Sequence, residues 1–169
     1  MRNKTAKWVA LYGMLISLAF IFSYIEAVIP IPIPVPGVKL GLANLVLIVG
    51  LYTVGISGTI AVSLVRIVLV GFTFGNLSSM IYSLAGGIVS LILMILLKKT
   101  GKFSQIGVSI IGGIGHNIGQ LTAAALITET AGVFYYLPFL IVAGVIAGAV
   151  IGLLGGMVTD RIQNVVKWL

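Results

Sequence analysis

The chain has 169 residues, 60% of them hydrophobic and 8% charged, with a mean hydropathy of +1.25. Soluble domains carry about a quarter charged residues, so the composition excludes that class and predicts an all-α membrane protein, 1–169 forming a single integral domain. The net charge of +7 is no nucleic-acid signature, because the basic residues gather at the ends of apolar runs; with no Cys, disulfides, thiol catalysis and iron–sulfur clusters are excluded.

Six transmembrane spans are expected. The first covers about Trp8–Val28 and follows Arg2, Lys4 and Lys7. It is longer than a signal-peptide core and lacks a small-residue cleavage site, so it is expected to stay attached. Ala6, Ala10, Gly13 and Ser17 form a small-residue ridge on this segment, suited either to packing inside the bundle or to a flat contact with a partner membrane subunit. Glu26 stands at its outer end.

Residues 30–45 read PIPIPVPGVKLGLANL. Pro30, Pro32, Pro34 and Pro36 fix φ and remove alternate N–H donors, so an extended, stiff outer loop is expected here. Gly37 permits a turn, and the second span then runs from about Leu40 to Tyr52. Lys39 lies near its N-terminal end, with Asn44 a little over one turn further on. Free helix N–H groups beside a cation suit an anionic ligand. The alternative is an interfacial lysine reaching to lipid headgroups.

The third span, about Ser57–Phe72, carries Arg66 near mid-membrane or slightly outward. A charge at that depth costs several kcal/mol unless paired or hydrated, which points to a lined cavity. Spans two and three are short for a bilayer core of about 30 Å, so tilt or partial insertion of one is expected. The fourth span, about Leu77–Leu97, is preceded by Asn76 as its cap and followed by Lys98, Lys99 and Lys102.

The fifth span, about Gln105–Thr128, contains GHNIGQ at 115–120. Asn117 and Gln120 share a helix face, and His116 overlaps it. Amides in membranes commonly tie helices together, and that reading suffices for His116 alone. Taken with Arg66, Lys39 and Asn44, the cluster reads instead as a polar cavity. Glu26 and Glu129 mark the outer ends of spans one and five, where either could pair with Lys39 or Arg66 or face water. The sixth span, about Tyr136–Val158, repeats glycine at 144, 148, 152 and 156, a ridge for close packing within the bundle. Arg161 and Lys167 follow it. Six spans with both termini cytoplasmic put eight of the ten basic residues on the inner side, as the positive-inside bias requires.

Several chemistries lack their residues. One histidine cannot supply bis-His haem ligation, and no ligand set for a metal is present. Prenyl diphosphate chemistry needs Mg²⁺ on clustered aspartates, and Asp160 is the single Asp. No G-x-x-x-x-G-K-[ST] loop exists, so ATP hydrolysis by that mechanism would have to come from partners. No channel filter motif is seen. No enzyme activity and no cofactor are expected.

The order span, acidic residue, Pro-rich loop, PGVKLGLANL, span resembles the substrate-binding S components of energy-coupling factor (ECF) transporters. Together with SLAGGIVS (83–90) and GHNIGQLTAA (115–124), PGVKLGLANL resembles more narrowly the Gx transporter family, also labelled heptaprenyl diphosphate synthase component I, over essentially the whole chain. The resemblance implies a six-helix S-component-like bundle in a prokaryotic plasma membrane, with an outward-facing site roofed by the loop between spans one and two. It implies uptake driven by a coupling membrane subunit and ATPases, with Ala6 and Ala10 matching an AxxxA-type coupling surface. The substrate expected is a small anionic or amphipathic molecule, such as a vitamin or an isoprenoid or quinone precursor. Lys39 and Arg66 would neutralise it, Asn44, Asn117 and Gln120 would orient it, and His116 would donate a hydrogen bond. The alternative is a non-catalytic membrane accessory of polyprenyl diphosphate or quinone synthesis. Membrane lipid is a partner on either reading; nucleic acid is not.

Overall fold

A computed structural model of the chain describes residues 2–29 and 41–166. The proline run and Lys39 lie outside the described residues. Within them, six α-helices follow one another: α1 Arg2–Val28, α2 Asn44–Thr53, α3 Gly55–Thr73, α4 Leu77–Thr100, α5 Gln105–Thr128 and α6 Leu137–Val166. A short 3₁₀ helix, Ala131–Tyr136, leads into α6. Five of the helices are long and apolar enough to cross a membrane; α2 is not.

Of the two spans expected to be short, it is the second that does not reach across: α2 has 10 residues, starting at Asn44 rather than about Leu40, and rises roughly 15 Å, about half a bilayer core. The reason is local: Gly41 and Gly55 hold φ of +87° and +82°, a left-handed conformation that ends a helix on either side. The chain still returns on α2 to the end of the bundle where α3 starts, so the alternation of the remaining helices is kept. The third span, at 19 residues, is long enough. Elsewhere the helices run longer than expected, α1 from Arg2, α4 to Thr100 and α6 to Val166.

Helix ends follow their residues. Asn76 Oδ1 accepts the Ser79 N–H at 2.8 Å while Ser79 Oγ accepts the Asn76 N–H at 2.9 Å, a reciprocal cap that starts α4 as expected. Ser104 accepts the Gly107 N–H at 3.2 Å and starts α5.

Helices α4, α5 and α6 pack side by side, α2 lies against α3 and α6 and touches α5, and α1 lies outermost against α3 and α2. Between α5 and α6 the approach is backbone to backbone. A Cβ on Gly148 would stand 2.6 Å from Ile110 Cα, one on Gly152 2.7 Å from Ile106 Cα, and one on Gly113 2.7 Å from the Gly144 carbonyl. The glycine ridge of the sixth span thus packs inside the bundle. In lipid there is little hydrophobic drive between helices, so such close contact is what holds them. The apolar core is built around α2, where Leu47, Ile48 and Leu51 meet Leu15, Met94, Val108 and Ile151.

The small-residue ridge of α1 behaves differently. Ala6, Ala10, Gly13 and Ser17 are all exposed, and nothing lies within 4 Å of a Cβ placed on Gly13. Of the two uses open to it, packing inside this bundle is not the one realised.

At one end of the bundle the C-terminus of α2 is tied down. The Lys98 ammonium donates to the Leu51 carbonyl and sits 4.4 Å from the Tyr52 ring centre. Gln163 Nε2 donates to the Tyr52 carbonyl at 3.2 Å, and Gln105 Nε2 donates to Thr159 Oγ1 at 3.1 Å. Terminal carbonyls that a helix cannot satisfy itself are met here by a cation and an amide.

Candidate functional site

The second polar region lies further along the bundle, where α1, α3 and α5 meet the N-terminal end of α2. Arg66 is eleven residues past the start of α3, roughly 16 Å along its axis. It is 6% exposed. Its Nη1 donates to Ser23 Oγ at 3.3 Å, a long bond, while Ser23 itself donates to the Ala19 carbonyl at 2.9 Å. Among the described residues, Arg66 Nε and Nη2 have no hydrogen-bond partner. The nearby opposite charge is Glu26, one turn beyond Ser23 on the same face of α1, which attracts the guanidinium.

Glu26 also reaches α2. The buried Glu26 carboxylate accepts the backbone N–H of Gly41. A carboxylate at the start of α2 is favoured by the exposed N–H groups and the helix dipole. Ala43, the residue before α2, supplies no side-chain cap.

Gly41 is the hub of the arrangement. A Cβ there would fall 2.7 Å from Asn44 Nδ2 and 3.4 Å from His116 Cδ2. On its other side, the His116 imidazole lies against α4, where a Cβ on Gly86 would come within 3.0 Å of Nδ1. Asn44 is 5% exposed, and among the described residues neither Nδ2 nor Oδ1 has a partner. Side chains any larger than hydrogen at 41 and 86 would close the space that Asn44 and His116 occupy.

Thus Glu26, Asn44, Arg66 and His116 are brought together, with Ser23 and Gly41 as members that the sequence reading had not singled out. Ser23 was signalled by its spacing of three from Glu26. Asn117 and Gln120 turn elsewhere. Asn117 Nδ2 donates to the Leu140 carbonyl of α6 at 2.6 Å, and its Oδ1 accepts Gln120 Nε2 at 2.9 Å. This amide pair ties α5 to α6. Glu129 is exposed at the left-handed C-cap of α5, so of the two acidic residues it is Glu26 that serves Arg66.

Among the described residues no group of three or more His, Asp or Glu could hold a metal ion. The grooves found on the flanks are aliphatic. One of about 190 Å³ between α3 and α4 is lined by residues such as Ile60, Leu64, Ile67, Leu84 and Ile88, and another by Leu15, Phe22, Val46 and Ile162. Arg66 and Asn44 line neither.

Five long apolar helices and a half-length helix beginning beside buried charge define a multi-pass helical membrane protein with an internal polar site. The family model described as heptaprenyl diphosphate synthase component I matches residues 15–158, and the chain belongs to that family. No curated protein matches the chain, and no solved structure does.

Proposed function

We propose that this chain is a non-catalytic membrane subunit that captures the polar head of a small molecule at Arg66, Asn44, His116 and Glu26. One observation carries the reading: two nitrogens of the buried Arg66 guanidinium and both amide atoms of Asn44 are without partners among the described residues. Buried polar groups are nearly always hydrogen-bonded, and an orphaned charge costs several kcal/mol. A ligand that completes those bonds offsets the cost, which makes the orphaned groups a reason for binding. The half-length α2 aiming its N-terminal end at the site follows the pattern of interrupted helices in membrane transporters.

Uptake is the activity that fits best. The basic end of the bundle, with Lys98, Lys99, Lys102 and Arg161, is taken as cytoplasmic by the positive-inside bias, so the site lies in the outer half. With no nucleotide loop of its own, the subunit depends on partner ATPases and a coupling membrane subunit, as the ECF resemblance implies. The exposed Ala6–Ala10–Gly13–Ser17 ridge on α1 is the surface offered to that subunit. In this reading Lys39 adds a second cation, and Asn117 and Gln120 hold the frame of α5 and α6.

The test is extraction of wild-type protein and Arg66→Ala in mild detergent, followed by mass spectrometry of co-purifying small molecules. A compound carried by the wild type and lost from a folded Arg66→Ala supports capture; identical cargo in both defeats it.

The family description favours a second reading, a membrane accessory of polyprenyl diphosphate synthesis. It requires stable association with a soluble prenyltransferase and indifference to ATPase partners. Pull-down from native membranes separates the two, since each names a different companion.

A further inference from the structure

The aliphatic groove of about 190 Å³ between α3 and α4 is open where the neighbouring contact is closed. On α4 two adjacent glycines face different helices. A Cβ on Gly86 would meet the His116 carbonyl at 2.7 Å, so that glycine lets α5 close in. Among the described residues, a Cβ on Gly87 would reach nothing nearer than Ser63 Oγ at 3.8 Å and Ile67 Cδ1 at 4.0 Å. Gly87 and the buried Ser63 thus form the floor of a slot. Exposed Ile60 and Leu64 on α3, with Ile88 and Ile92 on α4, form its walls.

Length and charge narrow what can lie there. From Leu84 to Ile95 the slot follows α4 for eleven residues, roughly 16 Å. One leaflet's share of a hydrocarbon core of about 30 Å is close to that. Ile88, Ile92, Ile95 and Lys99 succeed one another at spacings of four, three and four, so they lie on one ridge of α4. The wall of the slot therefore continues into a cation at the basic end of the bundle. Lys98 is engaged there with the Leu51 carbonyl and the Tyr52 ring, whereas Lys99 is exposed.

We propose that this groove holds one anionic phospholipid from the leaflet at the basic end, with an acyl chain in the slot and its phosphate beside Lys99. The apolar walls accept the chain, the length of the slot matches a single leaflet, and the lysine selects an anionic head over a neutral one. A partner helix, about 10 Å wide, rests on the walls of a slot between two adjacent helices and does not enter it. The lipid fills space that no side chain of α3 or α4 fills. The proposal goes beyond the capture reading and does not depend on Arg66.

The test is native mass spectrometry of the full chain released from nanodiscs of phosphatidylglycerol and phosphatidylcholine in equal parts. Wild type should retain one phosphatidylglycerol, preferred over phosphatidylcholine by about fivefold. Lys99→Gln should bring that preference to about twofold or less. Lys7→Gln, which removes a charge from α1 at the same end, should leave it in place. Gly87→Leu fills the slot and should lose the retained lipid of either kind; if it fails to fold, the exposed Lys99 variant decides alone. A photoreactive amino acid placed at Ile88 should crosslink to lipid in native membranes. Equal retention of both lipids by wild type overturns the proposal, as does an equal fall in Lys7→Gln and Lys99→Gln. Unchanged lipid on a folded Gly87→Leu overturns it, and so does a polypeptide crosslinked at position 88.

Discussion

Two sets of buried polar side chains occupy neighbouring parts of this bundle, and they are finished to different degrees. Asn117 and Gln120 on α5 bond to each other and to the Leu140 carbonyl of α6. Asn44 and Arg66, on α2 and α3, keep four side-chain atoms without partners among the described residues, although both are more than nine-tenths buried. Each set contains one asparagine, and both are buried in apolar surroundings. The difference is that the first set has protein partners at bonding distance, and the second, among the described residues, does not.

That contrast can be broken by substitution. The largest effect should come from the packing that the satisfied set accompanies. Gly148→Val drives side-chain carbon into the Ile110 backbone, where even a Cβ would stand at 2.6 Å. Overpacking of this kind costs about 1–3 kcal/mol or more, and no flexible side chain is there to yield. Unfolding in graded denaturing detergent should show a lower midpoint or no folded protein; an unchanged midpoint would mean that α5 and α6 do not meet through this ridge.

Asn117→Leu comes next, with a loss of about 1–2 kcal/mol in the same assay, because it removes two bonds, one of them from Gln120. A double-mutant cycle with Gln120→Leu sharpens the point. The second substitution should cost less once the first is made, as the pair acts as a unit. Full additivity would place the two amides in separate roles.

The smallest stability effect belongs to the other set. Asn44→Leu should change the midpoint by no more than about 0.5 kcal/mol or raise it, since no protein bond is lost and a desolvation cost is removed. A loss as large as that of Asn117→Leu would show that Asn44 is a structural amide after all.

Much of the fold was legible in the chain. Long uncharged runs announced α1, α4, α5 and α6, and the α5 limits Gln105–Thr128 agree residue for residue. Asn76 could be read as a cap because its side chain acts on its own neighbours, and local chemistry is visible locally. That one of spans two and three is too short to cross was legible, but not which, because that depends on φ at Gly41 and Gly55, which an apolar run does not reveal. At the site, Arg66 stood out from sequence because a mid-span cation needs an explanation. Asn117 and Gln120 stood out for the same reason and turned out to face α6.

What the order of residues determined alone is the class of protein: how many apolar helices can form, which end of the bundle is basic, and which polar residues are buried at a cost. These follow from composition and spacing, since each helix satisfies its own backbone in lipid. Tertiary structure decided which of those polar residues found partners. The glycine-mediated approach of α5 to α6 brought a carbonyl to Asn117, while Arg66 and Asn44 keep bonds unmade among the described residues. A hydrogen bond reaches about 3 Å, and only the packed fold sets distances that fine between residues far apart in the chain.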